Sequence, residues 1–62
     1  MDYSLINKAE VAKLLTVRPA TVDKMRRQGE FIRPIKVGGT LRWRDIDVQA
    51  WLDQKLTDAE VK

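Results

Sequence analysis

Between residues 32 and 44 the chain reads "IRPIKVGGTLRWR", with apolar and polar residues alternating in steps of two. That period belongs to β-strands, and Gly38-Gly39 at its centre supplies the tight turn of a hairpin. On either side the apolar spacing is helical, so the chain must pack helices against one two-stranded ribbon. A loop of Gly38-Gly39 alone would pair Val37 with Thr40 and Ile35 with Arg42, mixing apolar and charged side chains on one face. A three-residue loop, Gly38-Gly39-Thr40, pairs Val37 with Leu41, Lys36 with Arg42 and Ile35 with Trp43. A one-residue slip exchanges the two faces, so the three-residue loop is the predicted register. It sets Ile35, Val37, Leu41 and Trp43 on one side and the cations on the other.

"LINKAEVAKLL" opens the first helix. Asn7 suits the N-cap, Glu10 three residues on completes a capping box, and Ile6 and Val11 have the spacing of a hydrophobic staple. Val11, Leu14 and Leu15 then share one side. In "TVRPATVDKMRRQGEF", three residues separate Leu15 from Pro19, which suits the first position of a second helix. Val22 and Met25 share its buried face, Gly29 suits the left-handed position after its end, and Arg26 and Arg27 complement the negative helix terminus. Two short helices joined tightly make a helix-turn-helix candidate, with a helical hairpin of another small fold as the alternative. A third helix, "DIDVQAWLDQKL", is expected to be capped by Asp45, with Asp47 in its first turn and Val48, Trp51 and Leu52 buried. Trp43 and Trp51 are expected to hold the hairpin to the helical body. Residues 57–62, "TDAEVK", read as a frayed polar tail, which leaves a single domain over residues 1–56.

Composition narrows the chemistry. The 62 residues include no cysteine and no histidine. Disulfides, thiolate–zinc sites and the usual imidazole base are therefore excluded. No cofactor or metal is expected, and an enzyme is not the predicted class. No apolar run approaches the ~18 residues of a membrane span and no signal peptide opens the chain, so a cytoplasmic location without membrane contact is expected. Charge is unevenly spread. Residues 1–44 carry ten Lys/Arg against four Asp/Glu, a balance of +6, whereas residues 45–62 balance to −3; together they make the net +3. A basic body with an acidic end points to a polyanion on one side.

The cations fall on two elements. Opposite Val22 and Met25 on the second helix lie Ala20, Lys24 and Arg27, with Thr21 at the edge: a small residue flanked by cations, suited to a major groove. Arg26 lies nearer the buried side and suits a phosphate or an internal role, and Arg18 suits a further phosphate contact. Asp23 either accepts from a base or pairs with Arg27 four residues on, the pairing being favoured. On the hairpin, Lys36 opposite Arg42, with Thr40 and Arg44 nearby, would repel unless an anion is met. These side chains suit DNA phosphates or a minor groove, the alternative being an edge guarded by charge.

"EVAKLL", "RRQGEF" and "RPIKVGGTLRW" followed by "VQAWL" resemble the AlpA and excisionase group of small prophage regulators, whose DNA-binding domain is similar to that of MerR proteins. The resemblance spans about residues 4–56. It implies an α+β fold, a small winged helix-turn-helix of order α-α-β-β-α: three helices with a two-stranded wing. The second helix would enter the major groove of double-stranded DNA through Thr21, Lys24 and Arg27, and the wing would add Lys36 and Arg42. Relatives usually carry Ser or Thr where this chain has Arg18, and often an aromatic or polar residue at Asp23.

The function expected is sequence-specific DNA binding in a prophage or mobile element of a bacterial host, as excisionase, transcriptional regulator or both. An integrase or recombinase partner and cooperative self-association on DNA are expected, and no small-molecule ligand. A packaging or adaptor protein like the small terminase subunits is the alternative, and a purely protein-binding winged helix would leave two adjoining basic elements unexplained.

Overall fold

The computed structural model describes residues 2–60. Its elements run β1 (Leu5–Ile6), α1 (Lys8–Leu15), α2 (Pro19–Arg27), β2 (Ile35–Val37), β3 (Thr40–Arg44) and α3 (Asp45–Glu60). The three helices and the α-α-β-β-α order are those predicted. The added strand β1 makes the sheet three-stranded and antiparallel, ordered β1-β3-β2.

Local chemistry sets the helix ends. The Glu10 amide donates to Asn7 Oδ1 at 2.8 Å and the Asn7 amide donates to Glu10 Oε1 at 3.1 Å, which is the capping box. Ile6 and Val11 are both buried, as a staple requires. Both α1 and α2 end in paired backbone bonds to the last turn. After α1, the Val17 amide donates to the Ala12 carbonyl and Thr16 to Lys13; after α2, Glu30 donates to Met25 and Gly29 to Arg26. Each needs a left-handed residue. Gly29 adopts φ 73° freely, but α1 places Thr16 at φ 59°, a conformation that strains a β-branched residue. That strained residue forms the turn between the two helices.

The hairpin register differs from the prediction. Val37 pairs with Thr40, Lys36 with Leu41 and Ile35 with Arg42, so the loop is Gly38-Gly39 alone. Both glycines have positive φ, 57° and 83°, the geometry of a turn whose twist matches the flanking strands. The Thr40 hydroxyl locks the turn by donating to the Val37 carbonyl at 2.7 Å. The longer loop requires a buried face along all of β2. In fact Ile35, Lys36 and Val37 are all exposed, so burial does not enforce the register and turn geometry decides it. In consequence Lys36 lies across from Leu41, and Arg42 shares a face with Ile35 and Val37.

The core consists of Ile6, Val11, Ala12, Val22, Phe31, Trp43 and Val48. Trp43, on the central strand, is 1% exposed, and its indole N–H donates to the Ile32 carbonyl at 3.0 Å. Phe31 packs against it at 5.9 Å and meets Trp51 edge-to-face at 4.9 Å. Trp51 itself is only partly buried, with Lys55 over its outer ring face.

α3 departs from expectation at both ends. Asp45 does not cap it from outside but is its first residue. Its carboxylate accepts from the Ser4 and Ile46 amides while its own amide donates to the Ser4 carbonyl. The side chain thus continues the β1–β3 ladder where the backbone has already turned into the helix. At the far end, the segment predicted to fray is helical through residue 60. No glycine or proline interrupts it, and Gln49–Asp53 and Gln54–Asp58 side-chain bonds bridge successive turns. Residues 61 and 62 of that predicted tail lie outside the described residues.

The burial difference separates the two tryptophans, which the sequence had made equivalent. Trp43→Ala is expected to remove the cooperative thermal transition, because losing a buried aromatic costs ~3–5 kcal/mol in a domain near the lower end of natural stabilities. Trp51→Ala is expected to remain folded with a lowered melting temperature. Circular-dichroism melts of both variants check this, and equal losses would contradict the packing.

Candidate nucleic-acid interface

The outward side of α2 follows from its two apolar anchors. Val22 is fully buried and Met25 packs against the core, so the opposite direction at 100° per residue carries Ala20, Lys24 and Arg27. All three are exposed and Thr21, at the edge, is half-buried, as predicted from spacing. Arg18 precedes the helix in extended conformation and makes no side-chain cap; Pro19 alone begins the helix. The Arg18 side chain is therefore free for another partner.

Asp23 is not the partner of Arg27. Its carboxylate accepts from Lys8 Nζ at 2.7 Å and lies 3.6 Å from Arg26. Arg27 reaches only the Asp23 backbone carbonyl, through Nε at 3.4 Å. Half-buried Lys8, at the start of α1, outcompetes the i+4 neighbour because α1 packs alongside α2. The hydrogen bond from Lys8 holds the Asp23 carboxyl below its ordinary value; partial burial opposes this, and the charges of Lys8 and Arg26 reinforce it. Arg26 is thereby drawn inward, with its Nε buried and without an acceptor. Spacing within α2 carried no trace of Lys8, since the contact joins residues 15 apart.

On the wing, Lys36 and Thr40 are exposed and Arg42 is half-buried, its Nη1 donating to the Leu41 carbonyl. Arg44 is already engaged. Its Nε and Nη2 grip the Asp47 carboxylate at 2.7 and 2.8 Å, and its guanidinium lies 5.2 Å from the centre of the Tyr3 ring. The Asp47 hydrogen bonds raise the Arg44 pKa further. Among the described residues, no carboxylate lies within ion-pairing distance of Lys24, Arg27, Lys36 or Arg42. On α1, α2 and the wing, Lys8, Arg26 and Arg44 are thus held by carboxylates, whereas Lys24, Arg27, Lys36 and Arg42 are not. No group of acidic side chains among the described residues is arranged to hold a metal. No described helix is long and apolar enough to cross a membrane.

Compared with known families, residues 5–56 match the family described as helix-turn-helix domain. The chain belongs to that family. Searches of curated proteins and of solved structures returned no match. In this helix-turn-helix domain, α1 and α2 are the paired helices and the strained turn at Thr16 joins them. Family membership supports DNA binding.

The Lys8–Asp23 pair ties the two helices, and its pH dependence follows from the lowered carboxyl. A carboxyl whose folded pKa lies below its unfolded value, about 3.9, contributes fully above that value and loses its contribution as pH falls through the folded one. Asp23→Asn is therefore expected to melt below the wild type at neutral pH, with the gap closing only in strong acid. Melts of both proteins from about pH 7 to about pH 2 check this; a gap unchanged by acid would contradict it.

Proposed function

We propose that the protein is a sequence-specific double-stranded DNA-binding factor of a prophage or related mobile element, acting in the bacterial cytoplasm as an excisionase, a transcriptional regulator, or both. The observation that carries the DNA-binding part is the pair of exposed, unpaired cations Lys24 and Arg27 flanking Ala20 on the outward side of α2. A small residue between cations allows a helix to approach base edges closely.

The wing has a different part. Lys36 and Arg42 belong to opposite faces of a narrow ribbon tipped by two glycines. A ribbon entering a groove end-on presents one face to each wall, so cations on both faces suit the phosphates of both strands. Arg44 contributes by fastening β3 to α3 and holding the ribbon at a set angle. Arg18, uncapped and exposed, suits a phosphate beside the N-terminus of α2. Binding and bending, rather than catalysis, are the activities proposed. The excision role requires an integrase of the same element; recombination assays in which the protein shifts the balance from integration to excision test it.

The division between helix and wing is measurable. Arg42→Ala is expected to weaken binding to all duplexes about equally and to make the slope of log affinity against log salt shallower by about 0.9. Arg27→Ala is expected to cost about 1–3 kcal/mol on the cognate site and much less on random DNA. Titrations of both variants on specific and random duplexes at several salt concentrations check this. Discrimination lost in Arg42→Ala but kept in Arg27→Ala would make the wing the reader.

A further inference from the structure

The outer side of α1 carries a feature that DNA contact by α2 and the wing leaves unused. Glu10, Lys13 and Leu14 fall at i, i+3 and i+4, and together with Ile6 and Asp45 they line a groove between α1 and the start of α3. A second groove continues it, lined by Leu14, Asp45, Ile46 and Gln49. Leu14 is 46% and Ile46 45% exposed, with buried Ile6 beneath. Two large aliphatic side chains flanking one groove form a contiguous apolar patch, which in a small soluble domain marks a contact surface.

We infer that this face is a self-complementary contact through which two copies of the chain pair about a two-fold axis on DNA. The charges select a second copy as the occupant. Neither Glu10 nor Lys13 has an oppositely charged partner among the described residues, Glu10 using one oxygen to accept from the Asn7 amide. When two α1 helices lie antiparallel with the axis between Val11 and Ala12, Glu10 faces Lys13 of the second copy and Lys13 faces its Glu10. Leu14 of both copies then falls on one side of that seam, the side of the groove shared with Ile46. The same patch on both subunits satisfies itself, as a two-fold contact demands. Asp45 stays at the rim, its carboxylate already held by the Ser4 and Ile46 amides.

Position and size fit pairing on DNA rather than free dimerisation. Lys8, tied to Asp23 of α2, precedes Leu14 by six residues and so points about 120° away around α1. The contact therefore leaves the outer side of α2 open in both copies. A stable interface buries about 800 Å² per partner, and the whole chain exposes 4822 Å². One eight-residue helix and the first turn of α3 form a smaller patch, so the free chain is monomeric. Two copies held on adjacent half-sites gain the effective concentration that a weak contact needs. The two-fold axis further requires those half-sites to be inverted rather than direct repeats.

This inference rests on the DNA-binding reading, and the experiment separates the two. Half-sites recovered from random duplexes by selection with the full chain are built into duplexes carrying one site, two inverted sites, or two direct sites. The second copy is expected to bind inverted pairs about tenfold or more tighter than a single site, with no such gain on direct repeats. Leu14→Asp is expected to abolish the gain while leaving single-site affinity unchanged. Lys13→Glu and Glu10→Lys each lose the gain alone, yet an equimolar mixture regains it because both ion pairs re-form between unlike copies. Circular dichroism confirms that each variant is folded, and Lys13→Glu leaves the capping box intact should Glu10→Lys unfold. Intact single-site binding with a gain unaffected by Leu14→Asp and Lys13→Glu, or a gain confined to direct repeats, would overturn the two-fold contact alone. Absence of single-site binding by the wild type would overturn the DNA-binding reading and this inference with it.

Discussion

The burial of Trp43 is the interaction on which the rest of the structure depends. It stands on the central strand, which has β1 on one side and β2 on the other, and faces the helices. Its indole N–H is satisfied by the Ile32 carbonyl, so the polar end of a fully buried aromatic is paired and the connection from α2 to β2 is held against the sheet. Phe31, from the same connection, fills the space between Trp43 and Trp51 and so couples the sheet to α3. A chain of 62 residues has too little interior for independent cores. One aromatic cluster therefore positions the wing, the third helix and the end of the second helix at once.

Around that cluster, electrostatics divides the basic residues by task. Lys8 and Arg26 converge on Asp23 and fix α1 against α2; Arg44 grips Asp47 and fixes β3 against α3. Such partly exposed pairs add little stability individually. Their effect is geometric, since each joins elements whose relative angle decides where the outer side of α2 and the wing point. Lys24, Arg27, Lys36 and Arg42, which have no carboxylate partner among the described residues, stand on those two elements. Charge counts alone cannot make this division, because a lysine that orients a helix and a lysine that awaits a phosphate contribute the same unit to the total.

Legibility followed range. The capping box at Asn7 and Glu10, the start of α2 at Pro19, the left-handed Gly29 and the outer side of α2 depend on residues within about one helical turn of each other, and their spacing is written in the chain. The resemblance to excisionase-type regulators rested on the same local motifs, and the helix-turn-helix match spans residues 5–56. Strand β1 is not legible because two residues show no period, and Ile6 reads equally well as a staple. The continuation of α3 through residue 60 is not legible because no apolar run extends there, although no glycine or proline breaks the helix.

The amino-acid sequence by itself determined the kind and order of the helices and hairpin, where the first two helices begin and end, and which side of α2 faces outward. Each follows from backbone propensity or short-range spacing. Tertiary structure alone decided the rest. With β2 exposed on both faces, hydrophobic patterning placed no constraint on the hairpin, and the two positive-φ glycines set the register, moving Arg42 to the face of Ile35 and Val37. Asp23 chose Lys8 over Arg27 because packing brought α1 nearer than the next turn of its own helix. Asp45 became a rung of the sheet because β1 ended beside it. In each case the deciding partner lay on another element or in the backbone angles, and side-chain spacing does not encode either.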